Sequence, residues 1–318
     1  MGRKTVMVLA MVLPMALGGL ATAELQKGEI APSANWVAYA NVEAFRNSDL
    51  GRLVMSQLVT EEMEQKLQSF ATIFSFHPLK DIRDITLYGQ GQDRDNAVAI
   101  VEGQFSQNQL LALIRLSAQF QEMPYKGATL YRWLHKDEKK PNDAGQLMYG
   151  CFCGQNQVMI SSGLQTLKQG VDVIKGESGA PTTLLQEIPE AQGTPFIQIV
   201  ATKVSQMAGQ EPKAAVLKQA QSLGLVAGEF GEKVFAELQI EGESAEVADS
   251  MAKMIQGVIA LAQLSGQEQP QLSELARNVT VSQMDSTTQV HLSVPAQTVL
   301  DFLKQQWKQN MQQQMPTP

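Results

Sequence analysis

Histidine and cysteine are scarce in this chain, with only three and two among 318 residues. None of His77, His135 and His291 has a second His or a Cys at metal-ligand spacing. Cys151 and Cys153 form a single Cys-Phe-Cys sequence, which supplies two ligands at most. The sequence therefore predicts no tightly bound transition metal and no other cofactor.

The same two cysteines leave three interpretations open. In a regular strand, side chains at i and i+2 point the same way about 6.5–7 Å apart, too far for an unstrained disulfide. A bulge could bring Cys151 and Cys153 together, and an exported protein meets oxidising conditions. Gly150, Phe152 and Gly154 supply neither a helix N-terminus nor a basic neighbour to lower a thiol pKa. Buried structural thiols are favoured over a strained or intermolecular disulfide, and over a redox pair.

Catalytic signatures are missing as well. The Gly-x-Gly sequence at Gly89–Gly91 has Arg94 in place of the third glycine of a dinucleotide fingerprint. The Gly-Glu-Ser-Gly sequence at 176–179 is followed by Ala180, so it is no nucleophile elbow. Asp93–Asn96 lacks the glycine and the distal glutamate of a calcium loop. No catalytic, cofactor-binding or metal-binding residue is predicted.

Long apolar runs are absent after the first 23 residues. Met1–Ala23 begins with two cations, continues with an apolar run from Val6 to about Leu20, and ends in Ala21-Thr22-Ala23. This pattern predicts a secretory signal peptide that is cleaved before Glu24, and the alternative is an uncleaved membrane anchor. No later segment approaches the roughly 18 apolar residues of a membrane span, so no stable span is expected after cleavage.

Basic residues are few, with 25 Lys and Arg against 32 Asp and Glu. Removal of residues 1–23 takes away two cations and no acids, so the net charge becomes 23 − 32 = −9. An acidic chain without a basic cluster binds nucleic acid and anionic membranes poorly. We therefore expect a periplasmic or secreted protein whose partner is another envelope protein and not a nucleic acid.

What the sequence does contain is a repeated strand–turn–strand–helix (ββα) pattern. In one copy, Leu147–Phe152 and Gln157–Ser161 flank a turn at Gly154, and Ser161 or Ser162 is a candidate helix N-cap. Three further copies begin near residues 85, 225 and 279, and elsewhere in the chain Ser48, Ser106 and Ser244 are candidate helix N-caps. Direct turns between strands force antiparallel pairing, so the pattern predicts an α+β fold with a mainly antiparallel sheet covered by helices.

The order of elements predicts two similar halves, each β-α-ββα-ββα. The first half opens with strand Trp36–Val42 and a helix from Leu50 to about Phe74, and has an added strand at Ala128–Leu134. The second opens with strand Phe196–Ala201 and a helix from Pro212 that includes Ala220 and Leu223. We expect Ser33–Lys175 and Thr194–Gln306 to superpose, with Gly154 and Gly231 at equivalent turns. The predicted boundaries are a signal peptide at 1–23, a first half at 24–176, a linker at 177–193, a second half at 194–306 and a disordered tail at 307–318.

One stretch combines aromatic and basic side chains. Tyr131 and Trp133 share a strand face, with Arg132 between them, so this strand is a candidate ligand platform. The alternative, which the frequent burial of large aromatics favours, is that the face belongs to the core.

Four phrases carry a family resemblance: WVAYANVEAFRNSDLGR, HPLKDIRDITLYG, VAIVEGQF and QVMISSGLQTLKQGVDVIKG. They resemble an uncharacterised family of exported proteins of planctomycete-type bacteria, over most of the mature chain. The resemblance implies export and a duplicated α+β fold, and it implies no activity and no functional residue.

These observations lead to two hypotheses of function. The first is a non-enzymatic binding or structural protein of the bacterial cell envelope. The alternative is a hydrolase or isomerase with a carboxylate-based site. A cleft lined by two acids with perturbed pKa values would favour the enzyme, and a broad exposed apolar patch would favour the binding protein.

Overall fold

The computed structural model describes residues 24–74, 76–136, 144–177, 182–207 and 217–314, with side chains through Gln309. The chain forms two compact units. The N-terminal unit contains residues 24–43 and 61–186, and the C-terminal unit contains residues 44–60 and 187–314. Within the described ranges, every helix falls short of the length and hydropathy that a membrane span requires.

The described residues form twelve strands: β1 (Trp36–Asn41), β2 (Ile82–Gly89), β3 (Ala97–Gly103), β4 (Gln121–Tyr125), β5 (Ala128–His135), β6 (Gln146–Phe152), β7 (Gln157–Ser161), β8 (Thr194–Thr202), β9 (Ala220–Phe230), β10 (Lys233–Gly242), β11 (Val279–Met284) and β12 (Thr287–Pro295). They also form ten α-helices: α1 (Val42–Asn47), α2 (Asp49–Leu58), α3 (Glu61–Phe74), α4 (Gln107–Arg115), α5 (Leu164–Ile174), α6 (Thr182–Gln186), α7 (Val204–Met207), α8 (Ala245–Leu264), α9 (Pro270–Arg277) and α10 (Ala296–Gln314).

The sheet of the N-terminal unit has the strand order β1-β2-β3-β7-β6-β5-β4, and all its neighbours pair antiparallel. Helix α5 packs on it because Leu167 and Val171 point inward from an apolar stripe. Gly170 of this helix lies close to the sulfur of Met159 on β7 and to the hydroxyl of Tyr88 on β2. The core of the unit therefore lies between this face of the sheet and α5.

The C-terminal unit has the strand order β8-β9-β10-β12-β11, again antiparallel throughout. One core cluster joins α1, α2, β8, β10 and α10. In it the rings of Phe45 and Phe196 meet edge to face, with centroids 5.3 Å apart. A second cluster is formed by α7, β9, β10 and α8, with Met251 fully buried. The predicted α+β class with an antiparallel sheet is confirmed in both units.

The predicted helix from Leu50 to Phe74 is two helices, α2 and α3. Val59 has an extended backbone, which ends α2. Thr60, a favoured N-cap residue, then precedes a first turn with three glutamates, a composition that starts a helix. The break also separates the units, since residues 44–60 pack in the C-terminal unit. The predicted first half, 24–176, therefore contains a segment that belongs to the other core, through Leu50 and Val54.

The predicted helix from Pro212 is also wrong in the part that the structure describes. Residues 208–216 lie outside the described ranges, and Ala220 and Leu223 belong to strand β9. Strand β4 and helix α9 were not predicted. Helix α10 continues to Gln314, through most of the predicted tail, because Gln, Lys and Met favour helix. The predicted linker contains the short helix α6.

Three helix caps follow the prediction and one does not. The hydroxyls of Ser48, Ser106 and Ser244 each accept a hydrogen bond from a first-turn N–H group. At α5 the N-cap is Gly163, and the Ser161 hydroxyl accepts from the Gly163 N–H while donating to the Ala97 carbonyl. Neither Ser161 nor Ser162 therefore occupies the N-cap position.

The two strand orders agree when β4 and β5 are set aside, since β1-β2-β3-β7-β6 then matches β8-β9-β10-β12-β11 position by position. Gly154 and Gly231 both lie in hairpin turns and have φ of 103° and 61°, which glycine adopts without strain. In this order, however, the Gly154 turn corresponds to the β11–β12 turn and Gly231 to the β2–β3 connection. The expected equivalence of these two turns does not hold.

Candidate functional site

A row of polar side chains crosses the buried face of the N-terminal sheet. Asn41 on β1 is opposite Asp84 on β2, Asp84 is opposite Glu102 on β3, and Glu102 is opposite Gln157 on β7. Directly opposed residues share one face of a sheet, so these four side chains form a line, which we call the polar row. The row next to it, two residues along each strand, is largely buried and contains Tyr39, Thr86, Ile100 and Met159.

The centre of the polar row is a pair of carboxyl groups. Asp84 is 6 % exposed and forms a hydrogen bond with Glu102. Arg83 pairs with both acids, through Nη2 to Glu102 and through Nε to Asp84 at 3.3 Å. Burial, together with the nearby Glu102, raises the pKa of Asp84 to about 7. A hydrogen bond between two carboxyl groups requires a proton on one of them, and the raised pKa places it on Asp84.

Glu29, from the segment that precedes β1, extends the polar row. Both of its carboxylate oxygens accept hydrogen bonds from Nε2 of Gln157, each at 3.0 Å. Burial raises the pKa of Glu29, and the hydrogen bonds from Gln157 oppose that rise. Tyr39 adds a buried hydroxyl group that has no hydrogen-bond partner among the described residues, and burial raises its pKa too. Three acids and a phenol thus lie together on one buried face.

The two cysteines lie at the end of the polar row. Strand β6 ends at Phe152, so Cys153 is outside the strand, and its N–H donates to the carbonyl of Gln157 at 2.9 Å. The Sγ atoms of Cys151 and Cys153 are 3.3 Å apart, and both thiols are free. The two sulfurs are therefore much closer than side chains two positions apart in a regular strand, and the strand ends between the two residues.

Contact between the two thiols makes them chemically different. The hydrogen bond between the two thiols lowers the pKa of Cys153, because it stabilises the Cys153 thiolate. The same hydrogen bond, with burial, raises the pKa of Cys151. Cys151 is 2 % exposed, whereas Cys153 is partly exposed. Cys153 is therefore the thiol of the pair that loses its proton more readily and that solvent reaches.

The candidate ligand platform on β5 is half-buried. Tyr131 stacks on Phe120 with centroids 6.3 Å apart and meets Phe152 edge to face at 5.8 Å. Trp133 lies over Gly150 of the adjacent strand β6. Arg132 points to the opposite face, as the alternation of a strand requires, and its Nε donates to the carbonyl of Gln119 at 3.4 Å. These three side chains do not converge on one site.

Two of the three histidines lie beside acidic residues. His77 is buried, and its backbone N–H donates to Asp81 at 2.5 Å. His291 lies on the exposed side of β12, as predicted, with Nδ1 2.5 Å from Glu237. Across the described ranges, no three His, Cys, Asp or Glu side chains are arranged to hold a metal ion. The expected absence of a metal stays a prediction.

An exposed apolar surface occurs on the second half of helix α8. Its first half is anchored by Ala248, Met251 and Ala252, which are buried. In the second half Val258, Leu261 and Leu264 are 65 %, 70 % and 82 % exposed. We call these three residues the α8 patch. The segment from Gln256 to Leu264 contains no charged residue, so no charged side chain of this segment lies among the apolar side chains of the patch.

The second half of α8 is held by helix α9. The Gln263 side chain donates to the Ala276 carbonyl at 3.0 Å, and the Ser273 hydroxyl donates to the Gln263 carbonyl at 2.8 Å. These bonds fix the side of α8 that faces α9 and leave the patch uncovered by the described residues.

A cavity of about 30 Å³ lies in the N-terminal unit, and no carboxylate lines it. Its wall includes Tyr88, Gln90, Asn96, Thr166 and Gln169. This volume has room for little more than a water molecule. The carboxyl pair Asp84–Glu102 therefore does not open into this cavity.

Sequence reasoning missed the polar row and the α8 patch. One signal for the row was present: Asp84 has the same strand parity as Thr86 and Tyr88, and Asn41 the same parity as Tyr39. A charged residue on a strand's inward face is unusual enough to mark a site. Joining such residues into a row, however, required the register of four strands.

Comparison with known proteins gives no family for the chain. No protein-family model matches it, and no curated protein matches it. Solved structures of TP0453 in crystal forms I, III and IV overlap it with TM-scores of 0.46, 0.47 and 0.45. The identities are 8 %, 9 % and 9 %, and the alignments cover 88–89 % of this chain and 97–99 % of those chains. Scores this low support no conclusion on fold or function.

Proposed function

We propose that the protein is an exported binding protein of the bacterial cell envelope, and that the α8 patch is the surface that holds its protein partner. The observation that supports this most is the exposure of Val258, Leu261 and Leu264 on one helix. Contiguous exposed apolar side chains cost free energy in water and are typical of interaction surfaces.

The chemistry of the patch favours a protein partner with an apolar helix face. The segment Gln256–Leu264 carries no Lys or Arg, which an interfacial membrane helix uses to attract anionic lipid. Gly257 lies within it, and a Cβ added there would meet nothing within 4 Å. A second helix could approach α8 closely at this point, as in helix-in-groove recognition.

Export is proposed on the N-terminal sequence, which lies outside the described residues. The two cations, the apolar run and Ala21-Thr22-Ala23 support cleavage before Glu24 and a periplasmic or secreted location. N-terminal sequencing of the protein from envelope and culture medium tests this. A mature protein that begins at Met1, or that stays entirely in membranes, would contradict it.

We further propose that the chain belongs to the planctomycete-type exported family and that its two units arose by duplication. The shared strand order of the two units supports duplication. Superposition of β1-β2-β3-β7-β6 on β8-β9-β10-β12-β11 in an experimental structure tests the duplication. Different connections between the matched strands, or helices on different faces of the two sheets, would count against it.

The partner can be found by site-specific crosslinking in the source bacterium. A photo-crosslinking amino acid at Ala260, which is exposed beside the patch, should capture one envelope protein. The control carries the same amino acid at Leu116, which is 84 % exposed on the N-terminal unit, and should not capture it.

The captured protein is then purified and its affinity measured. Leu261→Asp should weaken binding by at least about tenfold, since a buried charge at an apolar contact costs more than 1.4 kcal/mol. Leu116→Asp should leave the affinity unchanged. Equal affinities for the two variants, or no specific adduct at Ala260, would overturn the proposal.

A carboxylate-based hydrolase or isomerase is the second candidate. One observation favours it: Asp84, with a pKa raised to about 7, forms a hydrogen bond with a second acid. Against it, Asp84 is 6 % exposed and the described cavity lies elsewhere. A hydrolytic activity that Asp84→Asn abolishes without loss of folding would establish this candidate instead.

A further inference from the structure

Cys151 and Cys153 have no role in either function proposed above, yet their sulfurs lie close together. The two Sγ atoms are 3.3 Å apart, and about 2.05 Å is a disulfide bond length, so the sulfurs need to approach by roughly 1.2 Å. Cys151 is fixed in β6, whereas Cys153 lies beyond the strand end. The required shift therefore falls on a residue at the end of the hairpin, which one backbone hydrogen bond to Gln157 ties to β7.

We propose that Cys153 and Cys151 form a thiol–disulfide exchange site for a small-molecule disulfide, with Cys153 as the attacking thiol and Cys151 as the resolving thiol. This rests on the proposed function only in that an exported protein meets such disulfides.

Accessibility assigns the two roles. Cys153 is partly exposed and precedes Gly154, where a Cβ would meet nothing within 4 Å, so the space beside the turn is open. Cys151 is 2 % exposed, so an external disulfide cannot reach it directly. It is, however, in contact with the Cys153 sulfur that the first step would modify.

The neighbours of the pair support the same assignment. The contact with the Cys151 thiol lowers the pKa of Cys153 against the opposing effect of burial, so Cys153 is the thiol of the pair that deprotonates more readily, without a basic residue or a helix N-terminus. Glu29 acts in the opposite direction, because its negative charge raises the pKa of Cys153. The hydrogen bonds that Gln157 donates to Glu29 partly satisfy that charge.

The exchange proceeds in two balanced steps. The Cys153 thiolate attacks one sulfur of the disulfide RSSR, a Cys153–S–S–R bond forms, the R–S–S–R bond breaks, and RS⁻ leaves. Cys151 then gives its proton to the released thiolate and attacks Sγ of Cys153, and the second RS⁻ leaves and takes a proton from water. The two thiols lose two electrons, and RSSR is reduced to two RSH.

The test uses the purified mature chain and oxidised glutathione, with acid quenching, alkylation and mass spectrometry. The wild-type chain should lose both thiols, keep no glutathione and remain monomeric. Cys151→Ser should retain one glutathione on Cys153. Cys153→Ser should react roughly 100-fold more slowly, because only the buried thiol remains.

Early quenching of the wild-type reaction shows the order without any variant, since peptide mapping should find the mixed disulfide on Cys153. Unreactive thiols in the folded chain, a disulfide-linked dimer as the product, or a mixed disulfide on Cys151 would each overturn the proposal. Since the reagent is added to purified protein, the result does not depend on export or on the α8 patch.

Discussion

The carboxylate of Glu229 caps a helix whose first residue, Asp49, lies 180 positions earlier in the chain. Glu229 Oε1 accepts from the Asp49 N–H at 2.8 Å, and Oε2 accepts from the Leu50 N–H at 3.1 Å. These N–H groups have no partner within the helix, and a negative charge at a helix N-terminus is favourable. The end of β9 thereby fixes the start of α2 in the C-terminal unit.

Glu229→Ala should lower the free energy of unfolding by about 1–2 kcal/mol, because two first-turn N–H groups lose their acceptor. Urea denaturation measures the change. The control is Glu232→Ala, at an exposed position in the nearby β9–β10 turn, which should stay within about 0.5 kcal/mol of the parent. Equal losses in the two variants would contradict the capping role.

The free energy of unfolding should fall as pH rises, because Asp84 loses its proton in the folded protein. Its pKa is about 7 in the folded chain against an ordinary 3.8, so the folded state holds a proton that the unfolded state releases. The stabilising contribution is complete below about pH 4 and is lost as pH rises through 7. Asp84→Asn should remove this decline, on the order of 4 kcal/mol between pH 4 and 8.

The measurement is urea denaturation across that pH range, with Asp285→Asn, at an exposed turn, as the control. A stability curve for Asp84→Asn that runs parallel to the parent curve would show that Asp84 does not titrate in this way.

Two helix glycines should respond in opposite directions to alanine. A Cβ at Gly51 of α2 would overlap the backbone carbonyl of Phe45, so α1 and α2 would have to move apart. We expect Gly51→Ala to cost more than about 3 kcal/mol. Gly257→Ala meets nothing within 4 Å in α8 and should gain about 0.5–1 kcal/mol from helix propensity. Thermal and chemical denaturation compare the two, and a similar sign for both would refute the packing argument.

Two leucines of α10, one buried and one partly exposed, should differ in their contribution to stability. Leu300 is fully buried in the cluster with Phe45 and Phe196, and Leu303 is 37 % exposed. Leu300→Ala should cost about 2–5 kcal/mol through the lost burial and the cavity, and Leu303→Ala less than about 1.5 kcal/mol. If calorimetry ranks the two in the reverse order, α10 does not pack as described.

Local signals in the sequence predicted much of the secondary structure. Gly154 and Gly231 mark hairpin turns, and Ser48, Ser106 and Ser244 mark helix starts, because each acts within a few residues of itself. Strand β9 was missed at its start for a physical reason. Its buried face is Ala220, Ser222, Gly224, Val226 and Gly228, and such small residues do not show a hydrophobic period.

Two of these positions must be glycine because backbone groups far away in the sequence leave no room for a side chain. A Cβ at Gly224 would overlap the Glu187 carbonyl, and one at Gly228 the Thr194 carbonyl. The polar row has the same origin, because the neighbours of Asp84 and Glu102 come from strands whose register no short segment determines. Local sequence patterns therefore could not predict either feature, because both depend on the pairing of strands that are distant in the sequence.

The placement of residues 44–60 has a consequence for how the protein is made. The chain crosses between the units at 43/44, 60/61 and 186/187, so no single cleavage point yields either unit whole. During synthesis the apolar side of α2, with Leu50 and Val54, has to wait without its partners until Phe196, Val234 and Leu300 are translated. At roughly 5–20 residues per second this interval lasts many seconds, during which the apolar side of α2 is exposed to intermolecular contacts.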